Sequence, residues 1–201
     1  MLVTRAAVLG LMALSLLACA HRFGPTQIPV ADDVAFDLLP PASFGRSVSL
    51  IQLAEIEYSG DVREILFVSE ITPQAISIVG LLPNGTRLFS IVYDGMAIES
   101  DGYESLLNRI QPAFLLTDFQ FSQWPIVQLT SQLQKSSNCF NDGNCLFLES
   151  QDRLQRTLRV GSRLALKIDY GGLPIIDNTI ELTHYLRGYR INLTMLSIEQ
   201  L

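Results

Sequence analysis

Three cysteines and two histidines are the side chains in this 201-residue chain with the most obvious chemistry, and their spacing limits what they can do. Cys139 and Cys145 enclose Phe-Asn-Asp-Gly-Asn, whereas a redox pair of the Cys-x-x-Cys kind needs only two intervening residues. Asn141-Asp142-Gly143-Asn144 is turn chemistry that can bring the two sulfurs together, so a local disulfide clip is expected. Such a short loop constrains the unfolded chain less than a long-range bridge would. The same stretch imitates a calcium loop, with Gly143 at position six, Asp142 at five and Glu149 at twelve. Position one is then Asn138 and position three is Phe140, which has no side-chain oxygen, so a turn is expected and no metal. His21 lies two residues after Cys19, and His184 stands in Thr-His-Tyr with no nucleophile motif beside it. A solvated or structurally bonded imidazole is therefore expected at His184 rather than a catalytic base. The chain has no Gly-x-Ser-x-Gly elbow, His-Glu-x-x-His helix or Gly-rich phosphate loop. Paired carboxylates for glycoside cleavage stay open because acidic residues are plentiful, and Asp118 is the first to inspect. The expectation is a protein without enzymatic activity and without a cofactor.

Cys19 stands apart. Arg5 precedes about a dozen mostly apolar residues, Ala6 to Ala18, and a small residue sits directly before the thiol. That is the order of a secretory signal peptide over residues 1–18, and the run is shorter than the roughly 20 residues a bilayer span takes. Leu16-Leu17-Ala18-Cys19 resembles a bacterial lipobox, in which the thiol is diacylated and the chain is then cut before it. The resemblance implies that Cys19 becomes the first residue of a periplasmic lipoprotein held by acyl chains such as palmitate. Ala20, where Asp would retain the protein at the inner membrane, implies sorting to the outer membrane. The plainer alternative is a secreted chain with an incidental cysteine. An oxidising periplasm suits the remaining cysteine pair.

Removal of residues 1–18 leaves 183 residues, enough for one domain with a single core. Loss of Arg5 takes the formal charge from −6 to −7. So acidic a domain is a poor nucleic-acid binder, because neutralising phosphates needs clustered Lys and Arg. Peripheral attachment to anionic lipid through basic residues is disfavoured for the same reason, and the expected anchor is acylated Cys19.

The elements that must position any site follow from periodicity. Residues 19–46 read as the lipidated cysteine and a tether, with a short helix allowed before Pro40-Pro41. Strand-length alternation runs from Val48 to Tyr58, Val62 to Ile71, Gln74 to Val79, Thr86 to Tyr93 and Met96 to Glu99, separated by turn residues. Tyr103 to Ile110 and Phe114 to Gln134 change to helical spacing, with Leu106, Leu107 and Ile110 on one stripe and Ile126, Leu129 and Leu133 on another. Pro125 suits the start of the second helical stretch. Strands resume at Cys145–Leu148, Leu154–Val160, Arg163–Tyr170, Ile175–Thr183 and Tyr189–Ser197. The fold expected is α+β: two antiparallel meanders in a single domain over 47–201, with a helical lid at about 103–134.

The most distinctive residues are apolar. Phe114, Leu115, Phe119, Phe121 and Trp124 offer more large hydrophobic surface than one helical face usually needs. Two readings are open: core packing between helix and sheet, or a greasy cavity beneath a helical lid. Leu81 and Leu82, at the tip Gly80-Leu81-Leu82-Pro83-Asn84-Gly85, either fold back onto the core or protrude into a bilayer or a partner's pocket.

The segments Leu88–Gly95 (Leu-Phe-Ser-Ile-Val-Tyr-Asp-Gly), Leu115–Pro125 (Leu-Leu-Thr-Asp-Phe-Gln-Phe-Ser-Gln-Trp-Pro) and Arg187–Leu193 (Arg-Gly-Tyr-Arg-Ile-Asn-Leu) resemble a family of uncharacterised proteobacterial lipoproteins. Its members often lie beside fatty-acid-type or aryl-polyene biosynthesis genes. More distantly, the order of elements over residues 45–199 is similar to the lipoprotein-localisation (Lol) carrier and its outer-membrane receptor. That resemblance implies an incomplete, strongly curved antiparallel barrel covered by helices, enclosing a hydrophobic cavity for acyl chains. The receptor has one leucine at a hairpin tip, after Asn-Pro and before Gly; here two leucines precede Pro83-Asn84-Gly85, in reversed order. The function implied is an outer-membrane-anchored binder of an acyl chain, lipid or lipoprotein that assists its transfer, with a periplasmic carrier as a further partner. The alternatives are a structural or scaffold subunit of an envelope lipid or polyene system, its interior filled by side chains, and an enzyme acting on a lipid or glycan.

Overall fold

The computed structural model describes residues 26–31, 34–135, 145–173 and 178–201. The signal segment, Cys19, Cys139 and the imitation calcium loop's Asn138 to Gly143 lie outside them, and so do residues 175–177 of the expected strand that starts at Ile175. Two short strands come first, β1 (Gln27–Ala31) and β2 (Val34–Asp37), followed by a 3-10 turn at Pro41–Phe44. The first meander is β3 (Val48–Tyr58), β4 (Asp61–Ile71), β5 (Ile76–Leu81), β6 (Arg87–Tyr93) and β7 (Ile98–Gly102). Three helices follow: α1 (Glu104–Ile110), α2 (Pro112–Gln123) and α3 (Ile126–Gln134). The second meander is β8 (Cys145–Glu149), β9 (Gln155–Val160), β10 (Arg163–Tyr170), β11 (Ile180–His184) and β12 (Tyr189–Gln200). Among the described residues, no helix is long and apolar enough to cross a membrane.

Period-two alternation builds the main sheet. On β3, Val48, Leu50, Gln52 and Ala54 are buried, while their neighbours Ser49, Ile51 and Leu53 are only half so and Glu55 is exposed. The same parity buries Ile65, Phe67, Ser69 and Ile71 on β4 and Phe89, Ile91 and Tyr93 on β6. One face of each strand therefore contributes to the core. The ten strands form one antiparallel sheet in the order β7-β6-β5-β4-β3-β12-β11-β10-β9-β8. The two meanders are joined where the last strand pairs with the first long one, in a register running from Tyr189↔Tyr58 to Gln200↔Val48. The sheet is unclosed, with β7 and β8 as its edges, and the three helices are the stretch of chain between those edge strands.

The chain before Ser47 departs from the expected tether. Gln27–Ala31 and Val34–Asp37 pair as a two-stranded sheet, and the short helix allowed before Pro40-Pro41 is instead strand and then a 3-10 turn. Ile28, Val30, Val34, Phe36, Leu38 and Leu39 are all core residues. Their alternation is legible, but the prolines at 29, 40 and 41 hide it: Pro29 sits in an edge pairing, where a missing donor is tolerated. The folded unit thus begins before residue 47.

Helix α2 is buried on every side from Leu116 to Gln123, which leaves no polar face for solvent. Most of its polar side chains have partners instead, as buried groups require. The Thr117 hydroxyl donates to the Ala113 carbonyl at 2.8 Å and the Ser122 hydroxyl to that of Phe119 at 2.9 Å. Gln120 bonds both backbone groups of Leu39, accepting from its N–H and donating to its carbonyl, each at 2.8 Å. The last carbonyls of a helix have no partner within it. Here Arg156 on β9 donates to the Phe121 and Trp124 carbonyls at 2.9 Å, and the Tyr170 hydroxyl donates to that of Ser122 at 3.0 Å. Arg156 is itself buried and paired with Glu149 at 2.9 Å. A cation at this position also complements the helix dipole.

Candidate functional site

A cavity of about 360 Å³ lies between the buried face of the sheet and the helices. The sheet contributes Gln52, Ile56 and Tyr58 from β3, Phe67 and Ser69 from β4 and Ile78 from β5. Beyond the β3–β12 seam it adds Leu182 from β11 with Tyr189, Ile191 and Leu193 from β12. Facing them are Arg109 and Ile110 of α1, Gln111, and the α2 residues Phe114, Leu115, Asp118, Phe119 and Ser122. The lining is mainly aliphatic and aromatic, with a few polar groups, as is usual for small-molecule sites of roughly 300–1,000 Å³.

The cavity has direction. Tyr58, Arg109 and Gln111 are exposed, whereas Gln52, Ser69, Ile78, Phe119 and Ser122 are buried. Tyr58 and Gln52 are six residue steps apart on β3, about 20 Å at strand rise. Ile56, Ile191 and Leu193 share the inward parity of the sheet yet stay only half-buried, because they face this space. Gln111 joins α1 to α2 at the exposed end with a positive φ of 46°, a conformation rare for a residue with a side chain.

A charged cluster stands at the exposed end. Arg187, in the turn after β11, lies 3.7 Å over the Phe114 ring and 3.6 Å from the Asp118 carboxylate. It also donates to the Pro29 carbonyl at 2.8 Å and to the Tyr189 hydroxyl at 3.4 Å. The Tyr189 hydroxyl in turn donates to Asp118. Burial pushes the Asp118 carboxyl up to about 6, against the opposing pull of Arg187 and the Tyr189 hydrogen bond. Burial, with the Asp118 charge added, drives the Tyr189 phenol far above its ordinary range. His184 is buried, accepts the Arg187 backbone N–H at Nδ1 (3.3 Å) and is pushed down to about 3, first by burial and then by Arg187. It is a neutral, structurally bonded imidazole and is not solvated. Its hydrogen bonds and ion pair tie α2 to the β11–β12 turn.

At the deep end Gln52 is buried, and its Nε2, like Asp118 Oδ1 nearer the opening, has no hydrogen-bond partner. An unsatisfied buried donor costs about 1–3 kcal/mol. Ser69 shares its face diagonally, since Gln52 pairs with Phe67 and Leu50 with Ser69.

Of the five apolar candidates, the structure brings Phe114, Leu115 and Phe119 to the cavity. Phe121 and Trp124 do not line it. Phe121 packs between Phe36 and Phe147, with ring centres at 4.7 and 5.2 Å, and Trp124 packs on Phe44 at 4.7 Å and donates its indole N–H to Ser43. Both are core side chains beyond the cavity lining, and Trp124 also meets the cavity-lining Phe119 edge-on, with ring centres 6.2 Å apart. Leu81 and Leu82 also part. Leu81 is a half-buried strand residue opposite Arg87, while Leu82 is exposed in the turn that closes with Leu82 N–H to the Thr86 carbonyl. Cys145 is disulfide-bonded, and the chain's other two cysteines lie outside the described residues. Glu149, the imitation calcium loop's final ligand, is the ion-pair partner of Arg156. Among the described residues, no group of three or more His, Cys, Asp or Glu side chains is placed to hold a metal.

Gln52, Ser69, Arg187 and Tyr189 were not among the expected site residues. Gln52 had a visible signal, a polar residue on the buried parity of an otherwise apolar strand. Arg187 and Tyr189 had a weaker one: Arg187–Leu193 and Leu115–Pro125, two of the three segments that carry the family resemblance, face each other across the cavity.

These features define a mostly antiparallel β protein with an unclosed sheet, a few helices and an apolar cavity between them. The chain belongs to the family described as "Protein of unknown function (DUF3261)", which matches residues 49–197. No curated protein matches it in sequence. Among solved structures, a DUF1329 family protein from Desulfovibrio piger is similar at 11% identity and a TM-score of 0.39, covering 77% of this chain and 85% of that one.

Proposed function

We propose that this protein is a non-enzymatic lipoprotein of the outer membrane, anchored through acylated Cys19, that binds a single acyl chain and assists its transfer to the membrane. The observation that carries the reading is the apolar cavity between sheet and helices, open at Tyr58, Arg109 and Gln111 and blind at Gln52. Its volume, about 360 Å³, lies near the lower end of small-molecule sites and favours one chain over the several chains of a mature lipoprotein. Binding would be driven by desolvation: each buried methylene contributes about 0.8 kcal/mol, so ten offer about 8 kcal/mol before the cost of ordering the chain. The helices run between the two edge strands, which supports reading them as the cover of an incomplete barrel. Entry and release then require α1 and the start of α2 to move, while Arg156 and Tyr170 hold the far end of α2.

Native mass spectrometry of the full chain carrying Cys19→Ser, purified from a Gram-negative periplasm under mild conditions, tests the reading. A co-purifying mass removable by organic extraction is expected. A bare polypeptide that also refuses a fluorescent fatty-acid probe would overturn it in favour of a scaffold subunit. Labelling of the natural chain with radioactive palmitate, lost in Cys19→Ser, is expected from the anchor.

A further inference from the structure

The apolar cavity ends on a donor that nothing in the protein uses. Gln52 is 1% exposed and lines the blind end, and its Nε2 has no partner. A cavity built only to hold hydrocarbon would carry leucine here, as the same strand does at Leu50. Ser69 lies on the same face one diagonal step away, so two neutral polar residues stand together at the end remote from solvent. The two cations in the lining, Arg109 and Arg187, are elsewhere. Arg109 is exposed, and Arg187 is engaged by Asp118 beside Tyr189, the residue that pairs with Tyr58 at the exposed end. Gln52 pairs with Met195, six residues farther along β12.

We propose that this blind end is a subsite for a neutral oxygen acceptor, the carbonyl of an acyl ester, which accepts a hydrogen bond from the Gln52 amide once its NH2 is turned into the cavity. The proposal rests on the acyl-chain reading above and narrows it. The ligand enters ester first, and its hydrocarbon lies along Ile56, Ile191 and Leu193 toward Tyr58. A free carboxylate is excluded from this end, because a buried anion needs a cation and the lining offers none there.

The test compares methyl decanoate with undecane as displacers of N-phenyl-1-naphthylamine from the full chain carrying Cys19→Ser. A purely apolar cavity prefers undecane, since water solvates the ester better. The wild-type cavity is expected to prefer methyl decanoate, and Gln52→Met to shift the ratio of the two dissociation constants toward undecane by about tenfold, the scale of one net hydrogen bond. Gln52→Leu repeats the measurement, and thermal melting reports that each variant folds. A wild-type preference for undecane, or a ratio unmoved by either variant, overturns the subsite while leaving the cavity reading intact. Failure of both ligands to displace the probe overturns the cavity reading itself.

Discussion

Arg187 illustrates how one side chain organises the exposed end of the cavity. Its guanidinium faces an aromatic ring, a carboxylate, a phenol and a backbone carbonyl, so its charge is compensated on several sides. Burial shifts two titratable neighbours in opposite senses, while Arg187 pulls both downward. The carboxyl of Asp118 has a folded value of about 6, above the roughly 3.9 of an unfolded aspartate. Its contribution to stability is therefore complete below about pH 4 and drains away as pH rises toward 6. His184 has a folded value of about 3, below the roughly 6.5 of the unfolded imidazole. Its contribution is present above about pH 6.5 and is lost as pH falls toward 3. Between about pH 4 and 6 each changes by at most one proton, with opposite sign, and the two largely cancel. Urea denaturation across this range should show it. The stability of the wild type minus that of Asp118→Asn is expected to fall as pH rises, and the wild type minus His184→Gln to rise. A flat first difference would mean that Asp118 ionises in the folded protein as it does in the unfolded one.

At the scale of elements, alternation and turn chemistry made most strands readable, because their two faces differ in burial residue by residue. Helix α2 was readable as a helix but not in its contacts: with eight consecutive buried residues, its sequence has no stripe to say which side faces the sheet. Hence Phe119 and Phe121 looked equivalent, although one lines the cavity and the other packs on Phe36. The β1–β2 pair was missed because short strands interrupted by proline resemble a linker. Pairing across the sheet was also beyond periodicity. Gly80 on β5 sits directly opposite Phe89 on β6, and a Cβ at Gly80 would overlap that buried ring. Since Phe89 is fully buried with no room to retreat, Gly80→Ala is expected to destabilise the protein by about 1–3 kcal/mol. Equilibrium urea denaturation measures this, and Gly80→Ala combined with Phe89→Leu should recover part of the loss.

The whole molecule places its apolar features at two separate places, and transfer would need both. The cavity opens beside Tyr58, at the β3–β4 turn, whereas Leu82 stands exposed at the β5–β6 turn. Both turns join strands of the first meander, and register relates them: Leu66 on β4 pairs with Leu81, while Asp61, opposite Tyr58, lies five residues earlier, at the start of β4. Both turns therefore lie toward the same end of the sheet, with the exposed leucine about 17 Å along the strand direction from the turn beside the cavity. A leucine inserted into the bilayer would bring the opening toward the membrane, which gives Leu82 a role in delivery that core packing does not explain. Leu82→Glu should leave folding stability within about 0.5 kcal/mol, as expected for an exposed position. It should slow the transfer of a bound fluorescent fatty acid from protein to liposomes severalfold, with its affinity in solution unchanged. Leu81→Ala supplies the contrast: Leu81 is half-buried within β5, on the face of the sheet away from the core, so its loss should lower stability more than it slows transfer. Equal transfer rates for wild type and Leu82→Glu would remove the tip from the mechanism and leave the cavity to act alone.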